Sequence, residues 1–379
     1  MQQNKTSVHG VFSILVISII GDNMVIGLPE GTGRDIWVSL LISLVLCMPI
    51  VLMYGRMVTL LPGKNIYEMA EYAFGHAGSV IVSIVFGFFC YGMASVMLFS
   101  FSTFTNMISL VRTDFYIIVF LFILAASYLA HQGASTLGKW ALIIFIAGSV
   151  TVLVIFFFAS DIMNFRNLLP AFHHPFPNIL SSGIRLAVLP ILHIVVTMGI
   201  SDSFEIPGKA TRLYALALTS AVLYLMIIFI RICCTLGAEM MNTAVFQNFR
   251  SVSLVSISDF FERIEGIVLF VYLMTGIAQV AVCLLSISNS AKNLLKLHSH
   301  KTLLIPISVL VFATAQAPFD NIIAMFDFLD LYYFISFPFQ ILLPLVIWIA
   351  VEVKHKKKGR ENTLQILQDE INQLEKGLY

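Results

Sequence analysis

The sequence predicts an all-α polytopic membrane protein of about ten transmembrane helices, and three observations predict it: composition, the recurrence of long apolar runs, and the distribution of lysine. Hydrophobic residues fill 59% of the 379 positions and charged residues only 11%, against about a quarter charged in a soluble domain. Lipid is therefore the solvent for most of the chain. A formal net charge of +1 carries no basic excess that would suit nucleic acid, and the charges gather between the apolar runs.

Crossing about 30 Å of hydrocarbon takes about 20 helical residues. Runs of that kind lie near 8–28, 36–61, 79–104, 115–132 and 140–160, then near 184–205, 213–236, 264–291, 303–319 and 331–351. The first run has neither a strong basic leader nor a small-residue cleavage site, so it reads as the first span. With the N-terminus inside, Lys5, Arg56, Lys64, Lys139, Lys209, Arg212, Lys292, Lys296, Lys301 and the run Lys354–Arg360 fall on the cytoplasmic face. The opposite loops hold only Arg34, Arg112, Arg166, Arg250 and Arg263. That asymmetry sets both termini in the cytoplasm.

The connections carry further expectations. Pro62–Gly75 has Ile66, Met69, Ala70 and Ala73 at helical spacing, which reads as a short interfacial helix or as a polar connector. Residues 161–183 and 237–263 form long outer loops of the kind that act as lids or contact surfaces. Two domains result: a transmembrane unit over 1–353 and a cytoplasmic tail over 354–379. The tail pairs the basic run KHKKKGR, suited to anionic lipid, with leucines and isoleucine at 364, 367, 371, 374 and 378. Two heptads are too few for an independent coiled coil, so the tail helix is expected to dock.

Cysteines 47, 90, 233, 234 and 283 all sit in apolar runs and are expected as free thiols. His173 and His174 lack further spaced ligands, so no metal site is predicted. Tyr332, Tyr333 and Phe334 read as an interfacial belt. No catalytic or cofactor motif is present, which points away from an enzyme.

Polar residues inside the spans need a reason, since an ionised group at the bilayer centre costs roughly 2.5–3.5 kcal/mol on the lenient scale. In span one Gly21, Asp22, Asn23 and Gly27 interrupt an apolar run and suit an unwound segment lining a cavity. Five spans later Pro190, His193, Thr197, Gly199, Ser201, Asp202, Glu205 and Pro207 interrupt span six. Matched breaks in two five-helix halves point to a ligand site at the midplane. The candidate ligand-binding residues are Gly21, Asp22, Asn23, Gly27, Thr197, Gly199 and Ser201. Asp22, Arg185, Arg231 and Asp202 are candidates for ion pairing or coupling. Arg231 reads equally as a structural pair and as a ligand contact, and Arg185 reaches water near the outer end.

Three segments carry a family resemblance: LPGKNIYEMAEYAFG from Leu61 to Gly75, SISDFFERIEGIVLFVYL from Ser256 to Leu273, and the stretch Ile19–Glu30 of span one. On these the chain resembles the B-subunit family of spore germination receptors, the GerAB-like proteins of the amino acid-polyamine-organocation transporter superfamily. The resemblance implies two inverted five-helix repeats with helices one and six broken at the midplane. It implies action in the spore inner membrane beside an A-type subunit and a lipoprotein C subunit, sensing a small nutrient such as an amino acid to trigger germination. The alternative is an independent secondary amino-acid transporter coupled to protons or sodium. Asp22 stands where transporter relatives receive a substrate carboxylate, so it is expected to hold an ammonium group or to be neutralised by an arginine.

Overall fold

The computed structural model describes residues 5–25, 33–170, 172–206, 208, 210–255, 264–315, 319 and 321–358, without the side chains of Asp22, Met24, Ala238, Glu239, Asn242 and Ile264. Among these residues eight helices are long and apolar enough to cross a bilayer, and two shorter apolar helices complete the ten expected spans. In order they are α1 (Val8–Val25), α2 (Ile36–Leu60), α3 (Ile66–Ile108), α4 (Phe115–Gln132) and α5 (Ala134–Ala159). The second half runs through α6 (Phe176–Val188), a 3-10 segment (Ile191–Ser203), α7 (Ala210–Thr243), the short α8 (Gln247–Ser253), α9 (Ile264–Leu295), α10 (Lys301–Thr314) and α11 (Ile322–Phe337). The last span passes through a π-helical turn at Pro338–Leu342 and stays helical to Lys358. An odd number of spans per half sends the second half into the membrane from the opposite face, which is what inverts the repeat.

The stretch after α2 is a helix, not a polar connector. Asn65 Oδ1 accepts the Glu68 N–H at 3.1 Å and Glu68 Oε2 accepts the Asn65 N–H at 3.2 Å, the reciprocal cap that starts a helix. Ile66, Met69 and Ala70 are fully buried, so this short helix docks on the bundle. Gly75, at φ 78°, turns the chain into span three, a conformation that costs a residue with Cβ. Both long loops are shorter than expected. Helix α6 begins at Phe176, with Pro177 in its first turn where a missing N–H costs nothing. Helix α7 bends at Gly237 and continues to Thr243 before α8.

A large apolar core runs through the bundle and holds Cys47, Cys90, Cys233 and Cys283, while Cys234 lies in a small second cluster with Ala159, Met163 and Val255; all five are buried free thiols. Spans one and six meet at the lysine-bearing end. Thr6 N–H donates to Ser203 O at 2.8 Å and Glu205 N–H to Thr6 O at 3.1 Å, joining the start of span one to the end of span six. Lys64, Lys292, Lys296 and Lys354 gather at this same end, where Arg56 bridges Glu352 at 3.1 Å and Lys354 caps the Tyr72 carbonyl at 2.8 Å.

Close approach of α2 to α7 rests on Gly55, where a Cβ would stand 2.6 Å from Thr211 Cα. Backbone cannot swing aside as a side chain can. Gly55→Ala is expected to cost about 1–3 kcal/mol by overpacking, read as a lowered melting temperature in detergent. An unchanged melting temperature would show slack between these helices.

Candidate functional site

Span six is interrupted as expected, and the interruption is long. Helix α6 ends at Val188, Leu189 is extended, and thirteen residues of 3-10 helix follow from Ile191 to Ser203. Runs beyond three or four residues are uncommon in this tighter coil, and inside a helix they mark hinges. Ile191–Ser201 is wholly buried, so each carbonyl freed by the break needs a partner inside the protein. Gln340 Nε2 donates to Val188 O at 3.1 Å, delivered by the π-turn of span ten. Tyr54 of α2 in turn donates its hydroxyl hydrogen to Gln340 O.

The candidate residues of span six occupy different levels. The Thr197 hydroxyl donates to Ile194 O at 2.6 Å. The carbonyl of Gly199 accepts from Asn289 Nδ2 at 2.9 Å, and a Cβ at Gly199 would collide with Ser286 of α9. Ser201 donates to Lys64 O at 2.9 Å, and thus sits at the lysine-bearing end. Eight residues of 3-10 rise put Ser201 about 16 Å along the axis from His193. His193 shares a 2.7 Å hydrogen bond with Tyr332, and both line a cavity of about 20 Å³ between spans three, six and ten, beside Leu189, Met93 and Met97. That is room for about one water.

Span one departs from the expected geometry. The backbone remains helical through Gly21–Val25, so unwinding does not open at Gly21–Asn23; Gly27 and the remainder up to residue 32 lie outside the described residues, as does the Asp22 side chain. Gly21 serves proximity instead. A Cβ there would meet the Gln279 amide at 2.3 Å, and Gln279 Nε2 uses that space to reach Ile17 O at 3.2 Å. Asn23 is 3% exposed. Its Nδ2, like Gln279 Oε1, has no partner among the described residues, which leaves a donor and an acceptor enclosed at the end of α1.

The described charged candidates, Arg185, Arg231 and Asp202, are not brought together. Arg185 pairs with Asp330 at 3.0 Å and lies over the Tyr333 ring at 5.3 Å. Arg231 is buried and its Nη2 donates to Asn248 Oδ1 of α8. Asp202 lies at the lysine-bearing end near Glu68, Lys292 and Asn65, with Oδ1 enclosed and without a full hydrogen bond among the described residues. Beside it opens a cavity of about 290 Å³ lined by Glu68, Glu71, His76, Asn289, Lys292 and Lys296, among others. The aromatic belt expected at 332–334 needs correction at Tyr332, which is 7% exposed because it faces inward to bond His193. At the far end Asp35 is fully buried and accepts from Phe172 N at 2.7 Å, His174 N at 2.9 Å and the His174 ring at 3.0 Å. His174 is thus a clasp for the loop before α6, not a free loop residue.

Sequence reasoning missed Gln279, Asn289, Gln340 and Asp35. Gln279 and Gln340 were visible as lone amides within apolar runs, the same signal of a polar group in a span that singled out Asp22, whereas Asn289 was masked by the serines around it.

An interrupted central span, enclosed polar atoms and ten helices in two halves define a membrane protein of the permease type. Residues 5–321 match the family described as Spore germination protein, and the chain belongs to that family. It is 23% identical over 332 residues to the putative spore germination protein YfkT of Bacillus subtilis (strain 168), covering 86% of this chain and 89% of the relative. It is 19% identical over 373 residues to spore germination protein KB of the same organism, covering 95% and 98%. Its fold matches solved transporters. MhsT in complex with L-phenylalanine superposes with a TM-score of 0.67 at 14% identity, covering 94% of this chain and 93% of that one. The nucleobase-cation-symport-1 family transporter Mhp1 gives 0.66 at 14%, covering 91% and 78%.

Removing the amide that caps the break exposes its cost. Gln340→Leu leaves the Val188 carbonyl buried without its donor, and about 1–3 kcal/mol of stability is expected to be lost. Amide exchange at Leu189–Val195 should quicken more than in α2 or α4. Uniform exchange would place the stabilisation of the break elsewhere.

Proposed function

We propose that this chain is the B subunit of a germinant receptor, sensing a small nutrient, an amino acid or similar, in the spore inner membrane to trigger germination. Family membership supports the setting. The observation that carries the site is two enclosed polar atoms without a partner among the described residues, Asn23 Nδ2 on α1 and Gln279 Oε1 on α9, two helices that both pack along the 3-10 segment of span six. Unmet hydrogen-bonding capacity of this kind is what a polar ligand completes.

In this reading the ligand touches Gly21, Asp22, Asn23 and Gly27 on one side and faces Thr197 on the other, within a ten-helix domain ending near residue 353. Gly199 and Ser201, about 15 Å and more from Gly21 along α9, lie too far for the same small ligand and belong to the part of the 3-10 segment that moves. It must bind two arrangements of spans one and six unequally, because equal affinity shifts nothing. The long 3-10 segment is the element suited to two arrangements. An A-type subunit and a lipoprotein C subunit are the partners that receive the change. Both termini face the cytoplasm, and the tail from 354 rests its basic run on anionic lipid. A second reading, an independent transporter coupled to protons or sodium, is favoured by the symporter fold, with Asp22 or Asp202 as coupling groups. Accumulation of labelled amino acids by vesicles holding this protein alone would support it.

Spores carrying Asp22→Ala or Thr197→Val are expected to need about tenfold more germinant for half-maximal response, the equivalent of one lost hydrogen bond to a charged or buried group, at unchanged protein level. A response identical to that of the parent strain removes these residues from the site.

A further inference from the structure

The guanidinium of Arg231 is the side chain with the largest unmet demand in the far half of the bundle. It is 2% exposed and lies on α7, six residues before the bend at Gly237, about 9 Å along the helix. Its Nη2 donates to Asn248 Oδ1, while Nε and Nη1 are enclosed with no hydrogen-bond partner among the described residues. The described ion pairs use Arg56, His174, Arg185 and Lys356, and none reaches Arg231. The groups nearest in charge are the hydroxyls of Tyr224 and Tyr272, which are neutral at ordinary pH. A buried charge without a counter-charge costs several kcal/mol and persists only where something compensates it.

The polarity of the unsatisfied atoms names the compensating group. Accepting from Arg231 through Oδ1 orients the Asn248 amide so that its Nδ2 is a donor, and among the described residues Nδ2 has only the Tyr272 hydroxyl facing it, with no bond of full geometry; Asn248 is 1% exposed. Three enclosed donors therefore share one neighbourhood: Arg231 Nε, Arg231 Nη1 and Asn248 Nδ2. The only acceptors described beside them are the neutral hydroxyls of Tyr224 and Tyr272, so the donors and the fixed positive charge make the neighbourhood complementary to a negative ion and repel a cation. The enclosure limits its size. Helix α8 carries Asn248 and is seated by Phe246 and Phe249, whose rings meet Phe104 of α3 edge-on at 5.0 and 5.8 Å, with Tyr272 of α9 on the same ring at 5.8 Å. So closely packed a neighbourhood suits only a small anion.

We propose that Arg231 and Asn248 form a binding site for one small anion, held under α8 and separate from the polar atoms at the end of α1. The anion is either a free inorganic ion or the carboxylate of a small solute. Thermal unfolding of the purified full-length protein tests this with sodium chloride, nitrate and acetate titrated against gluconate, a bulky anion, at constant ionic strength. The melting temperature of the wild type is expected to rise with the logarithm of the concentration of at least one small anion. A rise with chloride or nitrate identifies an inorganic ion, and a rise with acetate alone a carboxylate. Arg231→Gln should abolish the rise and, in gluconate, melt no lower than wild type, since it deletes an uncompensated buried charge. Asn248→Ala keeps the charge but removes a donor, and should need about tenfold more anion for the same shift. A wild type flat in all three anions, or a rise that survives Arg231→Gln, overturns the site. Neither result bears on nutrient sensing, which is read in spores.

Discussion

Everything in this fold answers to one constraint: a backbone group freed inside hydrocarbon must find a partner within the protein. Span six breaks that rule's simplest solution at Leu189–Pro190, and the bundle is arranged to repair it. Gln340 can reach Val188 because span ten makes a π-turn there, and Tyr54 reaches the Gln340 carbonyl from α2. Three spans are thereby tied to a single interruption. A π-turn weakens its own helix, so its presence opposite the break is a local loss offset by satisfaction of the neighbour.

Helix α9 performs the same service twice. Gln279 serves the carbonyls of Ile17 and Ser18 in span one, and Asn289 serves Gly199 in span six. Ten residues separate the two amides, about 15 Å along the helix. Span eight is thus a rigid ruler between the two functional spans, and Gly21 and Gly199 are the notches that let it approach. Any relative shift of spans one and six must exchange one of these amide contacts for another, which makes the change discrete instead of gradual.

How much of this was legible in the sequence follows from what each residue type can report. Lipid sets composition, so spans and their order were readable, and the helical spacing of Ile66, Met69, Ala70 and Ala73 offered the short helix that opens α3 beside the alternative of a polar connector. Gly21 was ambiguous in principle. A glycine permits either an unwound turn or a close approach, and only the position of Gln279, 258 residues later, decides. Tyr332 had the same difficulty, because a belt tyrosine and a buried partner of His193 share one local sequence. Asp35 looked like any loop acid; its clasp with Phe172 and His174 joins segments whose pairing no local pattern encodes.

The two ends of the bundle are therefore unequal, and the inequality has a mechanical meaning. At the lysine-bearing end a polar cavity of about 290 Å³ separates the glutamates of α3 from the lysines of α9. At the far end a fully buried Asp35 holds the loop before α6 through three donors, and Arg34 adds a bond to Leu169 O at 2.7 Å. Hydrogen bonds to a buried charge contribute about 1.5–3 kcal/mol each, so this clasp does not release by thermal accident. A ligand arriving from the far side can open it only by supplying contacts of comparable strength in the opened arrangement. The polar atoms at Asn23 and Gln279 that have no partner among the described residues are where such contacts are available.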